Sequence, residues 1–217
     1  MKNILCFGDS NTYGFVPGVG TRYDRGTRWT GRLAKALGSD YYVIEEGLNG
    51  RTNAFDDPVD FDDTKNGKKA FPTILNTHIP LDLVIIMLGS NDLKLRFNAT
   101  AYDIAKCQAR LGDMARRITG EKNFDKKPAE ILLVSPIHVG PGMKDTSPFR
   151  FEFGERSIAL SHELADCVAD FAKQSGFHFF DAASAASPSP VDSLHMNEEG
   201  HAALAAALAD QIRTIIG

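Results

Sequence analysis

Cysteine is scarce in this chain and no spacing pairs it. Cys6, Cys107 and Cys167 are the only three, an odd count that argues against a disulfide framework. Each falls in an apolar pattern, where a thiol serves as a small buried hydrophobe. The six histidines include no His-x-x-x-His pair, and no Cys-x-x-Cys accompanies them, so no metal or other cofactor is expected. Excess charge is missing too. A net charge of −4 at pH 7 provides no basic face for nucleic acid and no polybasic patch for a membrane. The longest apolar run, Leu83 to Leu88, is far short of the roughly 20 residues that span a bilayer. No apolar leader with a small-residue cleavage site precedes the first apolar run, so the expected location is cytoplasmic. Internal repeats, low-complexity tracts and interdomain linkers are also lacking, and residues 1–217 are expected to form one domain.

What is present is an ordinary globular composition, 43% hydrophobic and 24% charged over 217 residues, enough to bury a sizeable core. Five short apolar runs read as strands: Asn3–Phe7, Tyr41–Ile44, Leu83–Leu88, Ile131–Val134 and Phe177–Phe180. Most are continuously apolar, which suits strands covered on both faces of a parallel sheet. Segments of helical spacing separate most of them, over Trp29–Leu37, Tyr102–Ile118 and Glu155–Lys173. A last helix starts near Asn197, an N-cap residue followed by Glu198 and Glu199. Strands alternating with helices imply right-handed crossovers and a three-layer α/β/α sandwich. The expected sheet is flavodoxin-like, with five parallel strands in the order 2-1-3-4-5.

Three polar insertions interrupt this frame. Val16 to Arg28 follows the first strand. Asp56 to Lys69 carries Asp56, Asp57, Asp60, Asp62 and Asp63, then Lys65, Lys68 and Lys69, and reads first as a solvated surface turn. Val139 to Phe153 ends in Phe149, Phe151 and Phe153 at alternate positions. That alternation fits an edge strand, a wall of a substrate pocket or a subunit contact. Loops of this length in a compact domain usually have a function.

The chemistry gathers at strand ends. Gly8-Asp9-Ser10-Asn11 follows the first strand, where an α/β sheet collects its reacting groups. Alone it is an ordinary turn. A serine nucleophile needs a base, a group to orient that base, and an oxyanion hole. Asp192-Ser193-Leu194-His195 lies between the last strand and the last helix, on the same sheet edge. Three residues of separation let Asp192 reach one ring nitrogen of His195 and leave the other for Ser10. His138, after the fourth strand, is the rival base. Gly89-Ser90-Asn91-Asp92 supplies an amide donor in Asn91. In Gly47-Leu48-Asn49-Gly50-Arg51, Gly50 offers a backbone N–H with no side chain in the way.

Gly8-Asp9-Ser10, Gly50, Gly89-x-Asn91-Asp92 and Asp192-x-x-His195 resemble the four blocks of the SGNH, or GDSL, hydrolase superfamily, in its order and over nearly the whole chain. The runs Ile4–Ser10, Val43–Leu48 and Leu81–Gly89 are similar to its bacterial arylesterase/acyltransferase branch, which includes rhizobial acetylesterases. The resemblance implies Ser10 as nucleophile, His195 as base and Asp192 as orienter, with an oxyanion hole built from the Ser10 and Gly50 N–H groups and the Asn91 amide. It implies no cofactor, a small-molecule ester with a short acyl group as substrate, and a homo-oligomer, as large as an octamer in relatives. Phe15 lies near the acyl pocket by the same resemblance, and Phe149, Phe151 and Phe153 join it as candidate substrate-binding residues. The mycobacterial acyltransferase of this branch has Trp at the place of Phe15 and Ala at that of Gly50, so hydrolysis is expected ahead of acyl transfer. The alternatives are a thioesterase or lysophospholipase of the same superfamily, and a non-catalytic flavodoxin-like module binding an anion near Ser10.

Overall fold

The computed structural model describes residues 1–60 and 62–217; residue 61, inside the 56–69 insertion, lies outside the described residues, as does the Asp63 side chain. Strands β1 (Lys2–Gly8), β2 (Tyr41–Gly47), β3 (Leu83–Met87), β4 (Glu130–Ser135) and β5 (His178–Asp181) form one parallel sheet in the order β2-β1-β3-β4-β5. The expected topology is therefore the observed one. The register sets Gly8 beside Gly47 and Met87, so the ends of β1, β2 and β3 come level. The loops that follow them must then open on one edge.

Alternate strand residues serve two cores. Leu5, Phe7, Val84, Ile86, Ile131 and Leu133 pack on α3 (Gly67–His78), α4 (Ala101–Lys122) and α6 (Arg156–Ser175). Ile4, Cys6, Leu83, Ile85, Leu132 and Val134 pack on α2 (Trp29–Leu37) and α7 (Glu198–Ile216). Both faces of the central strands are thus covered, which explains their unbroken apolar sequence. β2 and β5 sit at the edges and are only partly buried.

Cysteine conforms in part. Cys6 is fully buried, and burial pushes its thiol far above the usual range. Cys107 and Cys167 are half-buried, short of the burial expected of them.

Helix α3 is a long element that the sequence pattern misses. The polar run before it, Gly67 at its start and Pro72 within it all weaken the helical signal. Asn66 caps it by accepting from the Lys69 N–H at 3.4 Å, and Phe71 and Leu75 bury completely against Phe7 and its neighbours. Tertiary burial overrides the weak local preference.

One buried polar side chain ties a helix to the sheet. Gln108 of α4 donates its amide to the Ile86 carbonyl at 2.8 Å and the Val134 carbonyl at 2.9 Å, near the ends of β3 and β4. Gln108→Met keeps the shape and leaves both carbonyls without that donor. We expect it to cost about 1–3 kcal/mol of stability, read as a lower urea midpoint at unchanged slope.

Candidate active site

Gly8 ends β1 where the chain must turn against its neighbours. A Cβ there would lie 2.1 Å from Thr12 Oγ1 and 2.9 Å from the Met87 carbonyl. Asp9 then caps α1 (Ser10–Tyr13) by accepting from the Asn11 N–H at 3.0 Å. Ser10 is thereby the first residue of a tight helical turn, its side chain at the edge of the sheet.

The opposing loop is folded around one carboxylate. Asp192 Oδ1 accepts the N–H groups of Leu194 at 3.0 Å and His195 at 2.9 Å, and its Oδ2 accepts His195 Nδ1–H at 2.8 Å. Burial alone would raise this carboxyl, but the donors from His195 and Leu194 outweigh it and hold it below the usual range. Since a carboxylate only accepts, Nδ1 carries the proton. Nε2 then has its lone pair toward the Ser10 hydroxyl, at 2.8 Å. Ser10, Asp192 and His195 come together as the sequence led us to expect. His138 does not enter: its ring packs at a tilt against that of His162, ring centres 3.8 Å apart.

The side chain of Asn11 joins the two loops. Its Nδ2 donates to the Leu194 carbonyl at 3.3 Å, and its Oδ1 accepts the Met196 N–H at 2.9 Å. His195 lies between those two residues. The 139–153 insertion supports the same loop from the other side: Ser147 Oγ donates to the Asp192 carbonyl at 2.6 Å and Gly140 N–H to the Ser193 carbonyl at 2.8 Å. Ser193 adopts φ +59°, a strained left-handed conformation for a residue with a Cβ. These contacts stabilise it.

Ser10 and His195 line a cavity of about 190 Å³ with Phe15, Asn49, Gly50, Asn91, Phe149, Phe153 and Leu194. Gly50 has φ +79°, a conformation that favours glycine. Asn91 Nδ2 donates one hydrogen to the Arg51 carbonyl at 3.1 Å, which orients the amide and leaves its second hydrogen for a ligand. Phe15 lies on the His195 ring at 4.3 Å between centres, and Phe149 meets it edge-on at 5.6 Å.

Phe151 does not line this cavity and is 80% exposed, so its assignment as a substrate-binding residue is corrected. The segment is a short helix, α5 (Arg150–Phe153), and not the edge strand that alternation suggested. Helical period puts residues 149 and 153 on one side and 151 on the other. The 56–69 insertion is likewise no solvated turn. The Asp57 side chain is 2% exposed and pairs with Lys94 and Arg96. Burial works against its charge, yet these cations hold its carboxyl well below the carboxylate range. Through Lys94, Asp60, Lys65 and Glu152 the cavity has a charged rim that no motif announced. A larger crevice of about 590 Å³ opens beside Asn3, Asp82 and Asn123. It contains none of the catalytic candidates.

A model of the GDSL-like lipase/acylhydrolase family matches residues 6–203. The chain belongs to that family. Among solved structures, the native aryl esterase of M. smegmatis is 40% identical over all of both chains, with a TM-score of 0.92. The carbohydrate acetylesterase Est24 from Sinorhizobium meliloti is 35% identical, again over all of both chains, at 0.92. A lipase/acylhydrolase from Enterococcus faecalis, 19% identical over 99% of this chain and 96% of its own, shares the fold at 0.66. No curated protein matches the sequence.

Beneath the GDSL serine lies a layer of buried ionisable groups. Burial raises the Asp9 carboxyl to about 6, partly countered by the Asn11 N–H. Burial raises Asp92 to about 7, against the donors of Asn53 and with the help of the Asp9 charge. Burial also lowers Arg51 to about 10. In the unfolded chain an aspartate loses its proton near pH 4. Between there and about pH 7 the folded state binds more protons, so these two groups lower stability as pH rises. Asp92→Asn keeps an acceptor for Asn53 and removes one of the charges. Its melting temperature relative to the native chain should climb from pH 4.5 to pH 8. A constant difference would mean that Asp92 carries no such penalty.

Proposed function

We propose that this protein is a serine hydrolase of short-chain carboxylic esters, working through an acyl-enzyme. The observation that carries the proposal is the continuous hydrogen-bonded line from Asp192 through His195 to Ser10, 2.8 Å at each of its two links. Membership of an acylhydrolase family, and full-length similarity to an aryl esterase and a carbohydrate acetylesterase, support it.

In the proposed reaction Ser10 Oγ attacks the ester carbonyl as its proton passes to His195 Nε2. Asp192 keeps the ring oriented and stabilises the cation that forms. Negative charge on the carbonyl oxygen is met by the Ser10 N–H, the Gly50 N–H and the Asn91 amide. His195 gives its proton to the leaving alcohol, and the acyl group stays on Ser10. Water, deprotonated by His195, then releases the acid. Another small nucleophile in its place would give acyl transfer as a side activity. Phe15, Phe149, Phe153 and Leu194 crowd the serine, which favours a small acyl group such as acetyl. No cofactor takes part. The site needs only a small-molecule ester, not nucleic acid or a membrane, and no described helix is long and apolar enough to cross one. In the proposed function the protein acts in the cytoplasm as a homo-oligomer, with Leu95 and Phe151, 44% and 80% exposed, as apolar surface for the contact.

Phenyl acetate turnover tests the scheme. Ser10→Ala should abolish it with the circular dichroism spectrum unchanged, and a phosphonate should add once per chain at Ser10 by mass spectrometry. Asn91→Ala should lower kcat by about 100- to 1,000-fold, and Asp192→Asn by about 10,000-fold. Full activity of Ser10→Ala would refute the assignment. Light scattering that returns the monomer mass at working concentration would refute the oligomer.

A further inference from the structure

A separate cavity, of about 390 Å³, opens between the start of α3 and the middle of α4 and shares no lining residue with the one at Ser10. Its floor is apolar: Ala54, Leu111 and Met114, with the half-buried thiol of Cys107. Three cations complete the lining, Lys68 of α3 and Lys106 and Arg110 of α4. The α4 residues among them recur at the helical period and so share one face. No carboxylate is among the lining residues. In a chain of net charge −4, such a cluster runs against the composition. Its cations are only loosely engaged. Lys106 Nζ stands 5.4 Å from the centre of the Tyr102 ring. Arg110 pairs with Asp113 at 3.1 Å, but its side chain is 73% exposed and Arg116 shares the same carboxylate. A pair so exposed is weak.

The ordinary role of such side chains is to lay their stems over apolar surface and keep their heads in water. Here the stems do not close over the floor, because the space stays open. Its volume falls within the roughly 300–1,000 Å³ of small-ligand pockets, which set a few charged groups in apolar walls. Each half of the lining excludes a class of occupant. A small anion such as acetate would meet the cations and leave the floor wet. A neutral alcohol would cover the floor and strip water from the cations without return. An apolar body ending in one carboxylate answers both. The body displaces water from Ala54, Leu111 and Met114, and Met114 is unbranched enough to fit an irregular shape. The carboxylate at the mouth accepts from Lys106 and Arg110, which are one helical turn apart and can reach the same anion.

We propose that the cavity between α3 and α4 binds a free amphiphilic carboxylate, an anion on a medium-length alkyl or aryl body, with Lys68, Lys106 and Arg110 at its mouth. The proposal stands apart from the esterase function above. Octanoate is the probe and Cys107 the reporter. The native chain is labelled with N-ethylmaleimide at mildly alkaline pH, since burial raises this thiol, and each cysteine is followed by peptide mass spectrometry. Saturating octanoate should slow labelling of Cys107 about tenfold. Labelling of Cys167, half-buried on α6, should not change, and neither octan-1-ol nor acetate should protect Cys107. Lys106→Met and Arg110→Met keep an apolar stem without the charge. Each should raise the octanoate concentration for half-protection about two- to fivefold. Isothermal titration of octanoate into the same three proteins reads the same shift without the thiol. Absence of both protection and binding heat would overturn the site. Equal protection by octan-1-ol, equal slowing at Cys167, or an unchanged half-protection concentration in both variants would overturn it too. Phosphatidylglycerol vesicles that protect Cys107 where free octanoate does not would replace the free ligand with a lipid surface.

Discussion

The Asn11 side chain bridges two loops that are 185 residues apart, and the geometry at Ser10 depends on that bridge. A single hydroxyl–imidazole hydrogen bond contributes about 0.5–1.5 kcal/mol. That is too little to hold a strained loop such as 192–195 in place. Asn11 grips the backbone on both sides of His195, so the ring is located by its own chain before it touches the serine. Ser10 and Asn11 are neighbours in α1, and whatever moves one moves the other. Ser10 and the clamp on the His195 loop therefore share one turn, set by Gly8 and capped by Asp9.

Below that turn the protein accepts a cost. Asp9, Asp92 and Arg51 are almost wholly buried, and Asp9 Oδ2 has no hydrogen-bond partner among the described residues. Apolar residues of similar size would commonly be more stable here. Polar ones fix directions. Asp92 accepts from both the backbone and the side chain of Asn53, and Arg51 donates to the carbonyls of Gly8 and Glu46 while its own carbonyl receives Asn91. The loops after β1, β2 and β3 are locked to one another by these bonds. Each of them carries one proposed oxyanion donor.

The sheet was legible because its central strands are buried on both faces, and continuous apolar runs record that directly. Ser10, Asp192 and His195 were legible as candidates because Asp192 and His195 are close in sequence and Ser10 follows a strand. Asn49, Lys65, Lys94 and Glu152 were not. Asn49 sat in plain view beside Gly50, but an amide with no partner looks in sequence like any turn asparagine. Lys65 and Glu152 belong to different insertions, which Lys94 and Arg96 join through Asp57 and Glu152, and no local pattern encodes such a meeting. The Phe149–Phe153 segment misled for a related reason. Alternation over five residues fits a strand or one turn of helix equally, and the decision falls to burial: Phe153 is 2% exposed and Phe151 is not buried at all in any useful sense, at 80%.

The two insertions that the frame alone does not need reach the Ser10 cavity by different contacts. Residues 139–153 brace the loop of His195 through Gly140 and Ser147, and end in the two rings beside it. Residues 56–69 anchor through Asp57 to Lys94 and Arg96, and in the same insertion Lys65, paired with Asp60, lies over Gly50. The hydrogen-bonded line through Ser10, His195 and Asp192 is built without residues 56–69, which contribute Asp60 and Lys65 to the cavity wall. Next to that wall is Gly50, whose positive φ favours glycine and whose missing Cβ leaves room for Lys65.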